Sequence, residues 1–299
     1  MFLHQKILVS ITFLILFSFF YACSPLRQFS DLSQEAEMAY SSGNYADAYD
    51  LYRQLIEAHQ SRNQSIDGET YNRAGVSAYE AGETQQALEY LEFARHTEAA
   101  DDRTFASLAK AYREIDNLSR EITNLERYLD RFPDGAEADA FRVRLFETLV
   151  ESMNLQQALN LWPELPGNPY QDEGLLTLYL QLNRQIDNTT KAAELAERLL
   201  DLNRNNQEAL DFLARKHFQE ATSMYNREMR AYEENRTHRQ YAHLLEALEI
   251  VNTDLRIAMN YFKRLYEQNP RPEYAGFIAD IYERFQDEEN ARYYRRRAD

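Results

Sequence analysis

Hydrophobic residues follow two patterns along this chain. Ile7–Ala22 is a predominantly apolar run of 16 residues preceded by Lys6. From Leu32 onward, small and large apolar residues recur at helical spacing among polar and charged positions. The plainest example is a pair of stretches, residues 39–48 (AYSSGNYADA) and 78–87 (AYEAGETQQA). Both place Ala-Tyr first, Gly at the fifth position and Ala at the tenth. A large residue follows four positions later, Tyr52 and Leu91, and an apolar one three beyond that, Leu55 and Ala94. Alternating runs of Val, Ile and Thr, the mark of half-buried strands, are missing, so the pattern predicts helices joined by short turns.

The small positions have a physical reason. A small residue in the middle of a first helix (Ala36, Gly75, Ala109, Ala279) lets a second helix approach closely. Another opens the second helix where the two backbones cross, at Ala48, Ala87, Ala158, Ala192, Ala258 and Ala291. The third such position holds Glu121 instead. A bulky residue at these crossings is expected to overpack. The large residue four later (Tyr52, Leu91, Leu125, Trp162, Phe262) fills the layer between hairpins, and Gly43 and Gly82 permit the turns. The seven crossing positions are separated by 39, 34, 37, 34, 66 and 33 residues.

This pattern resembles the tetratricopeptide repeat (TPR), two antiparallel helices in about 34 residues. The resemblance implies an all-α fold, an α-solenoid of about seven such hairpins wound as a right-handed superhelix. The step of 66 marks a long helical insertion in the sixth repeat, about residues 219–253. There the helical pattern runs on from Leu210 to Tyr232, breaks at 233–237, and resumes with Tyr241, Leu244, Leu245 and Leu248 on one face. Elongated helices projecting beyond the stack and a degenerate extra hairpin with long helices both satisfy this pattern.

The apolar run is short for a membrane span of about 20 residues. It ends at Cys23, the one cysteine of the chain. A basic start, an apolar stretch and a small residue before the cut form an export signal. Phe20-Tyr21-Ala22-Cys23 resembles a bacterial lipobox, with bulkier residues at 20 and 21 than is usual. The resemblance implies cleavage after Ala22 and acylation of Cys23; an uncleaved N-terminal anchor and a cleaved signal without acylation are the alternatives. Residues 1–22 are thus expected to be a lipoprotein signal peptide, 23–33 a lipidated tether and 34–299 the repeat domain. The residue after Cys23 is Ser24, not Asp, which by resemblance to enterobacterial sorting permits transit to the outer membrane. The expected location is the cell envelope, lipid-anchored on the periplasmic face of that membrane.

Composition narrows the function. The net charge of −16 opposes binding to nucleic-acid phosphates. With 8 glycines and no Gly-rich phosphate loop, HExxH or GxSxG, nothing points to catalysis, to a metal or to a cofactor. His238 and His243 are five apart and do not share a helix face. Arg295-Arg296-Arg297 suits the negative end of a last helix. In TPR proteins, ligands contact first-helix positions that line a concave groove. Transferred here, these are Glu37, Tyr40, Asn72, Val76, Tyr79, Lys110, Arg113, Gln181, Arg184 and Arg215. Lys110, Arg113, Arg184 and Arg215 would form a cationic stripe suited to an acidic or extended peptide. The carboxylate clamp of chaperone-binding members is not reproduced, since its places hold Ser33, Glu37, Asn72 and Val76.

The expected function is a membrane-anchored interaction scaffold, not an enzyme. Its partners would be envelope or outer-membrane proteins, met by the groove or by the 219–253 insertion. The alternative is a lipoprotein that binds a peptide or carbohydrate, stacked on Tyr40 and Tyr79, for an outer-membrane uptake system.

Overall fold

Among the described residues, the turns inside six of the helical hairpins are built the same way, although only two contain glycine. At Gly43 and Gly82 the backbone is left-handed, with φ of 77° and 84°. Asp116, Met153, Asp187 and Gln286 adopt the same conformation, with φ between 54° and 62°. In each turn the next residue's amide reaches back to a carbonyl five residues earlier. Asn44 N to Ala39 O (2.9 Å) and Asp287 N to Tyr282 O (3.0 Å) are the first and last of these. Such a bond closes a helix with a left-handed residue and turns the chain back. The motif therefore persists where the Gly signature has gone. A side chain in this conformation costs about 1 kcal/mol or more. Gln286→Gly is accordingly expected to raise stability by up to about 1 kcal/mol, and Gly82→Ala to lower it by a similar amount. Urea titrations of the two variants check the opposite signs.

The computed structural model describes residues 25–298. Fourteen α-helices run in sequence through this span: α1 (Pro25–Ser41), α2 (Tyr45–Gln60), α3 (Gly68–Glu80), α4 (Thr84–Ala94), α5 (Asp102–Glu114), α6 (Leu118–Arg131), α7 (Ala138–Glu151), α8 (Leu155–Leu161), α9 (Glu173–Gln185), α10 (Thr189–Leu202), α11 (Gln207–Glu234), α12 (His238–Gln268), α13 (Pro272–Arg284) and α14 (Glu288–Ala298). No strand occurs among the described residues. None of these helices is long and apolar enough to cross a membrane. The first helix begins at Pro25 and so takes in most of the segment expected as a tether. Its Phe29 and Leu32 pack on the first hairpin's core. Cys23 and the signal-like run lie outside the described residues.

Contacts divide the chain into two units, residues up to Thr148 and residues from Leu149. In the first, α1–α2, α3–α4 and α5–α6 pair as antiparallel hairpins, and α2–α3 and α4–α5 pack as neighbours. In the second, α9–α10, α11–α12 and α13–α14 do the same, joined through α10–α11 and α12–α13. This is the all-α repeat architecture expected of a TPR solenoid.

All seven crossing positions are buried, at most 3% exposed. Glu121 is among them, and its carboxylate takes both Nε (2.6 Å) and Nη2 (3.0 Å) of Arg144. The repeat thus tolerates a carboxylate where it otherwise needs a methyl, because a guanidinium meets it. Gly75 shows how tight the other approach is. A Cβ there would stand 2.5 Å from Leu91 Cγ and 3.1 Å from its backbone nitrogen.

The fourth second helix is cut short. Pro163 follows α8, and the chain continues through two 3₁₀ turns, Trp162–Glu164 and Pro169–Gln171. Proline lacks the amide a longer helix would need. Trp162 stacks on Tyr179 with centroids 3.9 Å apart and planes 10° from parallel.

The insertion proves to be elongated helices. Helices α11 and α12 have 28 and 31 residues, against 11 and 13 in the hairpin that follows. At 1.5 Å per residue they run about 42 and 46 Å. Their inner parts share a core of Leu210, Ala214, Ala221, Val251, Leu255, Ala258 and Phe262. Residues 226–243 hold no buried side chain. Near the tip Tyr232 meets Tyr241, with ring centroids 5.7 Å apart, and Thr237 caps α12 through the amide of Gln240.

Candidate protein-binding faces

In the first unit, the first helices α1, α3 and α5 hold the expected groove residues, but not all of them are open to a ligand. Val76 is 1% exposed and belongs to the core, which corrects its place among the contact residues. Asn72 is also buried. Its amide donates to Ala99 O (3.0 Å) and its oxygen accepts from the Thr104 hydroxyl (2.8 Å). It therefore ties α3 to the start of α5 and is a structural residue.

Glu37 is half-buried and heavily used. It accepts from the Tyr52 hydroxyl (3.0 Å) and the Ser41 hydroxyl (3.2 Å), and it pairs with Arg73. Arg73 also meets Glu69. The ring of Tyr40 lies between two cations, since the guanidinium carbons of Arg73 and Arg103 are each 5.6 Å from its centroid. Arg103 donates to the hydroxyls of both Tyr40 and Tyr45 at 3.2 Å. Burial pushes the Tyr40 phenol up, and the Arg103 bond opposes this. Those phenols in turn hold the Arg103 guanidinium well above its usual range. Tyr79 is pushed up to about 12, chiefly by burial and then by Glu114, so it stays neutral at any physiological pH.

The expected cationic stripe is mostly neutralised. Lys110 pairs with Glu137 at 2.6 Å. In the second unit Arg184 pairs with Glu208 and lies over the Phe212 ring, 5.6 Å from its centroid. Arg215 pairs with Asp211 (2.8 Å) and Glu273 (2.8 Å). Arg113 alone of the four is exposed and without an ion-pair partner among the described residues. The acidic chain supplies carboxylates to three of the four cations, and this overrides the stripe read from α5, α9 and α11.

What remains in the second unit is an open cleft of mixed character, lined by Arg184, Phe212, Arg215, Lys216 and Gln219. Gln181 lies in an adjoining recess with Arg184, Gln185 and Glu208. Reasoning from repeat positions missed Arg73, Arg103 and Phe212. Arg103 sits in the first turn of α5, a position legible in the sequence. Its phenol partners lie 58 and 63 residues away, and no local signal connects them.

No protein-family model matches the chain, and no curated protein matches its sequence. Solved structures do. The C-terminal part of a TPR repeat-containing protein from Cytophaga hutchinsonii superposes with a TM-score of 0.51 at 17% identity, covering 89% of this chain and 93% of that one. YrrB, described as a TPR protein with an unusual peptide-binding site, gives 0.45 at 16% identity over 59% of this chain and 87% of its own. A tetratricopeptide repeat protein from Parabacteroides merdae gives 0.42 at 10% identity, over 91% and 92%. The paired helices, their buried small crossings and the superposition with the Cytophaga hutchinsonii protein together establish that this chain has the TPR fold.

Proposed function

We propose that this chain is a lipid-anchored scaffold of the bacterial cell envelope that binds other proteins through the first-helix faces of its hairpins. One observation carries the binding part. Helices α1 and α3 present the half-buried Tyr40 and Tyr79 near the ion pairs of Arg73 with Glu37 and Glu69, where an extended segment finds polar partners already held in place. The signal-like run ending at Cys23 supports the anchor, with the outer membrane's periplasmic face as the location. Two acyl chains make such an anchor persistent. The long hairpin α11–α12 is a second docking element, because excursions from a repeat array commonly bind.

A carbohydrate carrier would need free aromatic faces. The ring of Tyr40 is occupied by two guanidinium groups and by the edge of Tyr45, 5.7 Å away. That weighs for the scaffold.

Affinity capture from detergent-solubilised envelopes tests the binding. The wild type is expected to retain specific envelope proteins, and Arg113→Glu to retain several-fold less while keeping its helical circular dichroism. Unchanged capture by Arg113→Glu counts against the first-unit face. In the same cells, Cys23→Ala is expected to move the protein from the membrane to the aqueous fraction. A wild type already found in the aqueous fraction removes the anchor from the proposal.

A further inference from the structure

We infer that one end of the first hairpin is a membrane-facing surface: the start of α1 and the chain leaving α2 lie against an anionic phospholipid headgroup layer. This rests on the proposed acylation of Cys23 and adds an orientation to it. Residues 25–148 carry 24 Asp and Glu against 13 Lys and Arg. Such a surface would be repelled from an anionic bilayer almost everywhere. Several stretches escape this excess, among them the α1–α2 turn (38–46, which carries no cation) and most of α5 (103–113); two others meet at one end of the first hairpin. Residues 24–30 (SPLRQFS) and 58–66 (AHQSRNQSI) contain no carboxylate, and they hold Arg27, His59 and Arg62.

The fold brings these two segments together. The Arg62 guanidinium carbon stands 4.2 Å from the centroid of the Phe29 ring, and the His59 ring is 4.9 Å from the same ring on its own centroid. Residues 61–65 are exposed beside them. These two stretches therefore form one end of the α1–α2 hairpin, made of its incoming and outgoing chain, and unlike the turn end it carries cations.

The acylation site is next to the same end. Cys23 precedes the first residue of α1 by two positions. Two residues reach at most about 7 Å. An acyl chain at Cys23 would thus hold this end near the headgroups with little slack, and the charge pattern matches what it would meet there. The α1–α2 turn at Ser42–Asn44 lies at the other end of the hairpin, about 25 Å away along a 17-residue helix. The two ends are therefore distinguishable.

The acylated protein reconstituted into vesicles of phosphatidylethanolamine and phosphatidylglycerol tests this. Acylated Cys23 has no thiol, so Gln64→Cys or Ser42→Cys provides one labelling position for a fluorophore. Nitroxide-headgroup lipid is expected to quench a label at 64 several-fold more than one at 42, and Arg62→Glu to narrow the difference. Equal quenching at both positions, with acylation of Cys23 shown by mass in the same sample, overturns the orientation and leaves the anchor standing. An unmodified Cys23 overturns both. Cross-linking of position 64 to a protein in native envelopes, without quenching in vesicles, assigns this end to that protein and overturns the inference as well.

Discussion

Glu121→Ala is expected to destabilise the protein by roughly 3 kcal/mol, although it restores the alanine that the repeat places at every other crossing. The repeat pattern and helix propensity both favour Ala at this site. The tertiary structure reverses the sign. Glu121 is buried, and it accepts two charge-assisted hydrogen bonds from Arg144, the geometry in which such pairs are strongest. The same contact holds the Arg144 guanidinium above its usual range. Removing the carboxylate strips a largely buried guanidinium of its bidentate partner, and Glu147 at 3.3 Å is a weaker replacement. Replacing both groups is a different matter, because apolar substitutes for a buried pair are often neutral or better. Glu121→Ala with Arg144→Leu is therefore expected to recover most of the loss. Urea-induced loss of helical circular dichroism measures all three variants. A single variant as stable as the wild type would show that the pair contributes little.

The Gly75→Ala change should also reverse a propensity argument. Alanine is better than glycine inside a helix by about 1 kcal/mol. Here the added methyl group would stand 2.5 Å from Leu91 Cγ and 2.7 Å from Cδ2. The leucine could swing aside, but the Leu91 backbone nitrogen at 3.1 Å can yield only if α4 moves. Overpacking of this kind costs about 1–3 kcal/mol, so a net loss of about 1–2 kcal/mol is expected. Leu91→Ala alone, at a fully buried site, should cost roughly 3 kcal/mol. In the double variant the new methyl enters the space the leucine left. Its loss should fall short of the summed single losses by about 1 kcal/mol or more. Strict additivity would mean that the two residues do not constrain each other.

The repeat was legible because its small residues recur for a local reason. Two helices cannot cross closely unless the facing side chains are small, and that requirement repeats with the hairpin. Hence Ala48, Ala87, Ala158, Ala192, Ala258 and Ala291 located the crossings, and all are buried. The turns were less legible beyond Gly82, since Asp116, Met153, Asp187 and Gln286 take the left-handed conformation without the residue that advertises it. Asp is one of the few side chains that tolerate it, while Met and Gln have no such excuse and are held there by the hairpin around them. The early end of the fourth second helix went unread, although Pro163 marks it. The elongated sixth hairpin was foreseeable as one of two alternatives, because a run of helical periodicity does not say where its partner lies.

The binding faces were the least legible part. Position within a repeat says that a side chain belongs to a first helix, and this brought Glu37, Tyr40 and Tyr79 into view. It does not say what comes to meet that side chain. Lys110, Arg184 and Arg215 looked like free cations, and each has a carboxylate beside it. Val76 and Asn72 looked available, and each is enclosed.

What the sequence determined by itself was the helical class, the hairpin period and the crossings, because each depends on side-chain size and periodicity over a few turns. What only the tertiary structure decided was the fate of individual polar groups: Glu121 with Arg144, Arg103 with two phenols, Asn72 with the start of α5. Those pairings join residues 23 to 63 positions apart. Their energy depends on distances of a few ångströms that no local pattern records.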